Sequence, residues 1–502
     1  MLFNSFIFIF IFLPLTLIGW YALNHYRRYE TAKFFLTAMS LWFYGYFNLS
    51  YLAIIIVSIA ANYLLSLLLT LDKNALWARI KRRFCLFAGI IFNLGLLFYF
   101  KYYDFFIENI NAVFHADFTL KNILLPLGIS FFTFQQLSYI IDRCMDRAGH
   151  YPLITYAAYV TFFPQLIAGP IVLHTEMIPQ LENVANRRFN ARSFAQGIIL
   201  FVLGLGKKVL IADVLALVAN YGFEQVYYLD AVSALLVILA YAFELYFDFS
   251  GYSDMAMGLG RMFNIILPAN FNSPYKSCSF KEAWQRWHIT LTRFFTTYVY
   301  IPLGGNRKGR LRTIINILIV FLLSGLWHGA AWTFVVWGVL HGVLVAWDNL
   351  GIVGVKGREE KRPSKYHIPA WLGWLVTFTV FNLLWVFFRS ENLPDAVQMF
   401  KNLAGFKYTG KVFDIAAKMD IAEFYIVKKA LQVIAPNMIN YAFVLLLVFY
   451  LLLSFFLIFR KNAREIAEDG ILSSGKCWGI CIIFIWCIIS LSQVSTFLYF
   501  NF

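Results

Sequence analysis

The amino-acid sequence predicts an all-α membrane protein, a helical bundle that crosses the bilayer many times. Of its 502 residues, 61% are hydrophobic and 14% are charged, whereas soluble globular chains have about 45–50% and about 25%. The apolar residues form long uninterrupted runs, and roughly 17–25 apolar residues suffice for a helix to span the hydrocarbon core. This pattern excludes a soluble enzyme, a disordered scaffold and a small secreted module held by disulfides.

About eleven runs have the length and composition of a transmembrane helix. They lie near residues 2–24, 32–47, 50–71, 84–103, 195–221, 229–248, 313–328, 331–349, 369–388, 440–459 and 476–497. The first run has no basic leader or small-residue cleavage site, and Arg27 and Arg28 follow it. We therefore expect a retained span rather than a cleaved signal peptide, and treat residues 1–502 as a single polytopic domain.

Two further apolar stretches, residues 125–141 and 156–172, are interrupted by prolines and glycines. The interrupting residues are Pro126, Gly128, Pro164, Gly169 and Pro170. Irregular backbone at membrane depth is tolerated only inside protein or beside water. We therefore expect re-entrant or interfacial elements around a cavity.

Basic residues concentrate in five short segments between the apolar runs. These segments are residues 25–30, residues 72–83 (with Lys73, Arg79, Lys81, Arg82 and Arg83), the loop before residue 313, residues 351–368 (with Lys356, Arg358, Lys361, Arg362 and Lys365), and Arg460, Lys461 and Arg464. With both termini outside, counting of spans places all five on the cytoplasmic face, as the positive-inside rule requires. The net charge of +15 is thus explained by basic residues on the cytoplasmic face of the membrane, and we predict no nucleic-acid binding. This counting does not assign the segments within residues 104–300 to either side of the membrane.

The same counting places the loop 389–439 on the outer face. It has mixed charge, and residues 394–404 are predicted to form one short amphipathic helix. We expect a docking or lid element there rather than a catalytic domain.

The six cysteines lie mostly in or beside apolar runs and lack the spacing of a redox or zinc site. His288, His328 and His341 likewise lack metal-ligand spacing. We predict no metal.

Residues 243–261 place two carboxylates, Asp248 and Asp254, near the end of an apolar run. Carboxylates at membrane depth are costly and usually face a water-filled or ligand cavity. We predict that both line a substrate site. The alternative is that they cap helix ends or pair with Arg261 and Arg286.

Apolar residues recur at helical spacing between residues 284 and 295, which predicts an amphipathic helix at the inner interface. They are Trp284, Trp287, His288, Leu291, Phe294 and Phe295. His288 on this face is either a hydrogen-bonded core residue or part of a site. The basic residues that follow fit a rim facing phospholipid or a site that attracts a polyanionic cytosolic ligand. They are Arg307, Lys308, Arg310 and Arg312.

His328 ends an apolar run and is flanked by Gly325 and Gly329. Burial of an unpartnered polar group costs roughly 2–7 kcal/mol, and small neighbours leave space for a substrate beside the ring. Because an unperturbed histidine has a pKa near 6.5, it suits a general base for a hydroxyl. The alternative is that His328 forms a hydrogen bond that holds two helices together.

Several segments taken together resemble the membrane-bound O-acyltransferase (MBOAT) superfamily. They are LPLGISFFTFQQLSYIID, TFFPQLIAGPI, FDFSGYSDMAMGLG, NFNSPY, RWHITLTRFF, YIPLGGNR and SGLWHGAAWTFVVWGVLHG. The resemblance is narrower to the bacterial polysaccharide branch, which includes alginate and peptidoglycan O-acetyltransferases and the D-alanyl transfer protein of teichoic acid synthesis. The motifs place an MBOAT-like core, with its re-entrant elements, within residues 104–350.

This resemblance implies that His328 is the catalytic histidine and His288 a second, supporting one. Trp287 and Trp327, which precede them, and the two carboxylates are expected to bind substrate. It further implies that acetyl groups pass from a cytosolic thioester, acetyl-CoA, to hydroxyls of an extracytoplasmic polysaccharide. Transfer is expected to be direct or through a periplasmic or extracellular esterase-like partner, from a multi-pass protein of the bacterial cytoplasmic membrane.

Two other readings stay open. One is transfer of D-alanine from a carrier protein to teichoic acid. The other is a non-catalytic transporter or scaffold of exopolysaccharide export, although no inverted repeat, expected of many transporters, is visible.

Overall fold

The computed structural model describes residues 1–69, 76–357, 364–405, 408–469, 473–491 and 498. These residues are mainly helical, and their only strands are Val353–Val355 and Tyr366–Ile368, which pair in parallel. The predicted all-α class is confirmed. Lys73, Arg358, Lys361 and Arg362 of the basic clusters, and residues 492–497 of the last predicted span, lie outside the described residues.

Among the described residues, eight helices are long and apolar enough to cross a membrane, in agreement with a multi-pass protein. They are Phe8–His25, Ser50–Leu68, Ile80–Phe114, Ala231–Met262, Gly309–His328, Trp332–Leu350, Ala370–Arg389 and Pro436–Ile458. Three other predicted spans are also helical but are not among these eight. They correspond to Tyr29–Gly45, to Ala191–Gly206 continued by Lys207–Ala212 and Asp213–Glu224, and to Ser474–Ser490.

The remaining α-helices are shorter and connect or flank the spans. They are Ile129–Cys144, Leu153–Thr161, Phe163–Leu166, His174–Glu182, Phe280–Arg286, Ile289–Phe295, Leu393–Ala404, Val412–Ala416, Tyr425–Ile434 and Ala463–Glu468. Helix Leu393–Ala404 confirms the predicted helix near 394–404. Its first turn is capped by Asn392, whose side chain accepts a hydrogen bond from the backbone N–H of Asp395.

The chain folds into two compact units. The first comprises Met1–Phe201 and Ser253–Ala269, and the second comprises Val202–Tyr252 and Asn270–Phe502. Helix Ala231–Met262 therefore contributes residues to both.

In the first unit, the two interrupted stretches form short helices with irregular backbone beside them. That they are re-entrant or interfacial elements around a cavity stays a prediction. Gly128 has a φ of +71° and begins helix Ile129–Cys144. A Cβ atom there would lie 2.5 Å from the carbonyl oxygen of Leu166, so the glycine lets the two broken elements approach each other closely. Helix Leu153–Thr161 ends at Phe162, and a single turn, Phe163–Leu166, follows.

In the second unit, helices Gly309–His328 and Trp332–Leu350 pack closely through small residues. A Cβ atom on Gly325 would lie 2.3 Å from the carbonyl oxygen of Phe334 and 3.2 Å from the Cα of Gly338. Close backbone approach of this kind is typical of small-residue interfaces between membrane helices. It fixes the end of the first helix, where His328 lies.

Candidate functional site

His328 is the last residue of helix Gly309–His328, and it is 3% exposed. Three aromatic side chains enclose its ring, with centroid distances of 4.9 Å to Trp327 and 5.2 Å to each of Trp337 and Phe388. The ring of His288 lies 6.2 Å away. We call these five residues the His328 cluster. The two predicted histidines are thus neighbours in the fold, although 40 residues separate them in the sequence.

The glycines beside His328 have a different role from the one predicted. A Cβ atom on Gly329 would lie 2.0 Å from the ring of Phe334, so that ring already fills the space beside the histidine. The prediction that these glycines leave room for a substrate is wrong. They instead let the next helix turn back tightly against the first.

The predicted continuous amphipathic helix between residues 284 and 295 is also wrong. The structure has two short helices, Phe280–Arg286 and Ile289–Phe295, separated at Trp287 and His288. His288 has φ +45° and ψ +52°, in the left-handed region, which histidine occupies more readily than most residues. A non-glycine residue there costs on the order of 1–3 kcal/mol, and such strain clusters at functional sites.

The hydrogen bonds around His288 define how its ring is held. Its Nδ1 lies 2.9 Å from the side-chain oxygen of Asn270. The same oxygen accepts hydrogen bonds from the hydroxyl and the backbone N–H of Thr290, at 2.9 and 3.4 Å. Since this oxygen is an acceptor, Nδ1 of His288 carries the proton and donates, and Nε2 carries the lone pair.

Burial keeps the His288 ring neutral. The side chain is fully buried, and this lowers the pKa of His288 from 6.5 to about 3, because the charged form is disfavoured away from water. At neutral pH the ring is therefore uncharged. Its Nε2 can accept a proton or a hydrogen bond but cannot donate one.

The predicted tryptophans lie in adjacent parts of one aromatic core. Trp327 lies against both histidines, 4.9 Å from His328 and 5.8 Å from His288. Trp287 is buried and packs 4.8 Å from Trp385 and 5.1 Å from Phe271. The structure thus brings Trp327 to the histidine pair and Trp287 into the core beside it. Their roles in binding substrate stay predictions.

Asp248 is held in a buried ion pair. Its carboxylate lies 2.5 Å from the ammonium group of Lys208, which also lies 2.7 Å from Asp213. Asp248 accepts a further hydrogen bond from the backbone N–H of Leu498, at 3.0 Å. The next residue, Phe249, packs 4.9 Å from the His288 ring. Asp248 thus pairs with a lysine rather than with the two arginines considered above.

Asp254 lies on the part of the same helix that belongs to the first unit, and it is buried there. Its predicted role in substrate binding stays a prediction.

His341, the third histidine, bridges two elements of the second unit. Its Nδ1 accepts a hydrogen bond from the indole N–H of Trp284, at 3.2 Å, and its ring lies 4.9 Å from Trp337. A hydrogen bond between two helices, the alternative role of His328, is thus seen at His341.

Two residues of the site were missed from the sequence. Asn270, which orients His288, is the first residue of the motif NFNSPY, but its partner is 18 positions away. The second is Lys208, which lies within the predicted span 195–221. A lysine inside an apolar run was the available signal, since such a charge requires a partner.

The basic residues after the two short helices lie at the opposite end of helix Gly309–His328 from His328. Arg307, Lys308, Arg310 and Arg312 are exposed. Asn316 supports this turn by donating a hydrogen bond to the carbonyl oxygen of Gly305, at 2.9 Å. The 20-residue helix separates its two ends by about 30 Å. We call these four residues the basic turn.

Comparison with known proteins gives a consistent result. The family model of the membrane-bound O-acyltransferases matches residues 145–388. The chain is 38% identical to a peptidoglycan O-acetyltransferase of Helicobacter pylori, over 100% of this chain and 98% of that protein. It is 36% identical to a probable alginate O-acetylase of Pseudomonas putida, over 100% of both chains. A teichoic acid D-alanyltransferase of Bacillus subtilis is 27% identical over 45% of this chain and 60% of that protein.

Proposed function

The chain belongs to the membrane-bound O-acyltransferase family, and from this premise we propose that it acetylates an extracytoplasmic polysaccharide. The acetyl donor is acetyl-CoA from the cytosol, and the acceptor is a hydroxyl of peptidoglycan or of an alginate-like polymer, reached directly or through a partner protein. Two full-length relatives named for acetylation of these two polymers support the choice. By the same analogy, the protein lies in the bacterial cytoplasmic membrane.

The observation that carries the proposal is the pairing of His328 with His288 inside the His328 cluster. Two imidazoles with centroids 6.2 Å apart form the polar centre of an otherwise aromatic environment. Such an environment excludes water, which protects a thioester from hydrolysis and strengthens proton transfer between fixed groups.

In the proposed reaction, His328 acts as the general base. It removes the proton from the acceptor hydroxyl as the oxygen attacks the carbonyl carbon of the thioester. The carbon–sulfur bond then breaks, and the thiolate of CoA leaves and takes up the proton from the imidazolium. A positioned general base contributes about 10²–10⁴-fold in rate.

His288 is assigned a positioning role. With its proton on Nδ1 and bonded to Asn270, its Nε2 can accept a hydrogen bond from the acceptor hydroxyl or from the other imidazole. It therefore orients the reacting groups rather than steadying negative charge, which requires a donor.

Both substrates must reach a ring that is almost fully buried. Access therefore requires movement of side chains in the His328 cluster, in line with the gating motions of many enzymes. The basic turn supports the approach of the donor, since clustered exposed arginines and lysines raise the local concentration of a polyanion.

The test is the acetyl-ester content of the cell envelope. Cells that lack the gene are complemented with the wild-type protein, His328→Gln or His341→Gln, and ester groups on peptidoglycan and secreted polysaccharide are identified by mass spectrometry. We expect wild-type protein to restore acetyl esters, and His328→Gln to abolish them at equal protein level in the membrane. His341→Gln is the matched control, a buried histidine of the neighbouring helix, and should retain transfer in proportion to its folded amount.

Two results would contradict the proposal. One is near-normal acetylation with His328→Gln. The other is an unchanged acetyl content without the gene together with loss of D-alanyl esters, which would instead favour the D-alanyl alternative.

A further inference from the structure

A cavity of about 280 Å³ lies in the second unit, away from the His328 cluster. Its lining comes from two parts of the chain. Tyr221 lies near the end of helix Asp213–Glu224, and Gln225 and Tyr228 lie in the turn after it. Lys411 and Asp414 lie in the loop 389–439. Span counting predicts that this loop lies on the outer face, and we therefore expect the cavity to open there.

The chemistry of the lining fits a sugar ring. A pyranose presents an apolar face of C–H groups and a rim of hydroxyls, and a tyrosine presents a flat apolar ring and a hydroxyl. Gln225 offers both a donor and an acceptor, Lys411 a donor and Asp414 an acceptor. Lys411 and Asp414 also pair at 2.9 Å, so the wall is polar with little net charge. The volume lies at the lower limit of the range of about 300–1,000 Å³ for small-molecule sites, which suits one unit of a longer chain.

Contacts on both sides hold this wall in place. The ammonium group of Lys418 lies over the Tyr221 ring, 4.2 Å from its centroid. Asp230 accepts hydrogen bonds from the backbone N–H and the hydroxyl of Thr409, at 2.8 and 3.2 Å. These contacts tie the loop to the segment that carries the tyrosines. The cavity is therefore preorganised, which lowers the entropic cost of binding.

A short chain of contacts links the cavity to the His328 cluster. Phe388 packs against the His328 ring, and the next residue, Arg389, donates a hydrogen bond to the side chain of Asn220, at 2.9 Å. Arg389 also lies over the ring of Phe223, 5.4 Å from its centroid. Asn220 and Phe223 flank Tyr221 closely in sequence. The C-terminal end of helix Ala370–Arg389 thus connects the wall of the cavity to the histidine.

We infer that this cavity is a glycan subsite that binds one sugar unit of the acceptor polysaccharide on the outer face. This inference rests on the proposed function and adds to it a place where the polymer is held before transfer. Tyr228 and Tyr221 stack on the sugar ring, and Gln225, Lys411 and Asp414 bind its hydroxyls.

The test measures glycan binding by the purified full-length protein in lipid nanodiscs. The probes are a tetrasaccharide of alternating N-acetylglucosamine and N-acetylmuramic acid, and a tetramannuronate. We expect saturable binding of one of them, and the one that binds distinguishes the two polymer classes. Tyr228→Ala should weaken binding about tenfold or more.

Tyr227→Ala is the matched control. Tyr227 and Tyr228 are 60% and 69% exposed, but Tyr227 does not line the cavity and instead donates a hydrogen bond to Asp395, at 2.9 Å. We expect Tyr227→Ala to bind as the wild type does. His328→Gln should also bind normally, because it alters the transfer step and leaves the subsite intact.

The inference is overturned if neither probe binds the wild-type protein, or if Tyr228→Ala binds as tightly as the wild type. It is also overturned if Tyr228→Ala keeps full glycan binding but loses acetylation in cells, since the cavity would then serve a partner protein. These outcomes are independent of the proposed function, which is tested by acetyl transfer in the His328 variant. Glycan binding with full transfer by His328→Gln would refute the catalytic assignment and leave the subsite standing.

Discussion

At the scale of residues, the two histidines of the site are neighbours that are held by different means. His288 is fixed by Asn270 in a strained backbone conformation and stays neutral. His328 is positioned by the end of its helix and by aromatic packing. One ring is thus held in one tautomer by a hydrogen bond, while the other is enclosed by aromatic side chains.

The neutrality of His288 predicts a pH dependence of stability. Its pKa is about 3 in the folded protein and near 6.5 in the unfolded chain. Below pH 6.5 the unfolded chain takes up a proton that the folded protein does not, so stability falls as the pH decreases from 6.5 towards 3. Relative to pH 8, this group alone lowers the free energy of unfolding by about 2 kcal/mol at pH 5.

The measurement is thermal unfolding of the detergent-solubilised protein at pH 8 and pH 5. In the variant His288→Asn, asparagine tolerates the left-handed backbone and has no group that titrates in this range. Its melting temperature should therefore fall less on acidification than that of the wild type. An equal fall in both proteins would show that His288 is not the group responsible.

The sequence motifs led to His328 and His288, because the resemblance depends on residues that lie close together in the chain. Asn270 was not predicted to be part of the site, because its contact with His288 depends on the left-handed backbone conformation of His288. No sequence pattern predicts that conformation. The filled space beside Gly329 was missed for a similar reason, as it depends on where the Phe334 ring packs.

At the scale of elements, the break at Trp287–His288 and the ion pair of Lys208 determine how helices meet at the site. The break escaped prediction because both short helices bury the same kind of side chain, so the apolar spacing continues across it. The ion pair between Lys208 and Asp248 escaped prediction because its two residues lie on different helices and are distant in the sequence.

The Lys208 ion pair predicts a large effect on stability. Lys208→Met would remove the cation that lies 2.5 Å from the buried carboxylate of Asp248, and removal of one partner of a buried pair costs about 3–5 kcal/mol. Asp248→Asn added to this variant should recover part of the loss, since it removes the buried charge of Asp248. The measurement is the free energy of unfolding or the melting temperature in detergent.

Lys461→Met is the control for the same substitution at an exposed ion pair, where Lys461 lies 2.6 Å from Asp469. Its effect on the free energy of unfolding should be far smaller than that of Lys208→Met, because an exposed ion pair contributes little to stability. Equal losses for Lys208→Met and Lys461→Met would show that the buried pair does not stabilise the second unit.

At the scale of the whole molecule, the all-α multi-pass class was predictable because the length of an apolar run is a local property. The number of spans was less predictable. About eleven were predicted, and eight helices satisfy both length and composition in the part of the chain that the structure describes. A helix such as Tyr29–Gly45, with 17 residues, shows why apolar runs alone do not settle how many helices cross.

The predicted sidedness can be measured with single cysteines in a background without the native ones. Lys429→Cys, in the loop 389–439, should react with a membrane-impermeant maleimide added to cells whose cytoplasmic membrane is intact and whose outer envelope has been made permeable. Arg464→Cys, in a basic cluster on the cytoplasmic side, should react only after the cytoplasmic membrane is opened. Both positions are exposed, so the reverse labelling pattern would invert the topology and place the glycan subsite in the cytosol.

The most direct test of the catalytic assignment is transfer of radiolabelled acetyl groups from acetyl-CoA by purified protein in liposomes, with wild type and His328→Gln compared at equal folded amounts. We predict that the variant loses about 10²–10⁴-fold of the transfer rate while its melting temperature stays close to that of the wild type. A variant that folds normally and transfers acetyl groups within a few-fold of the wild-type rate would contradict the role of His328 as the base.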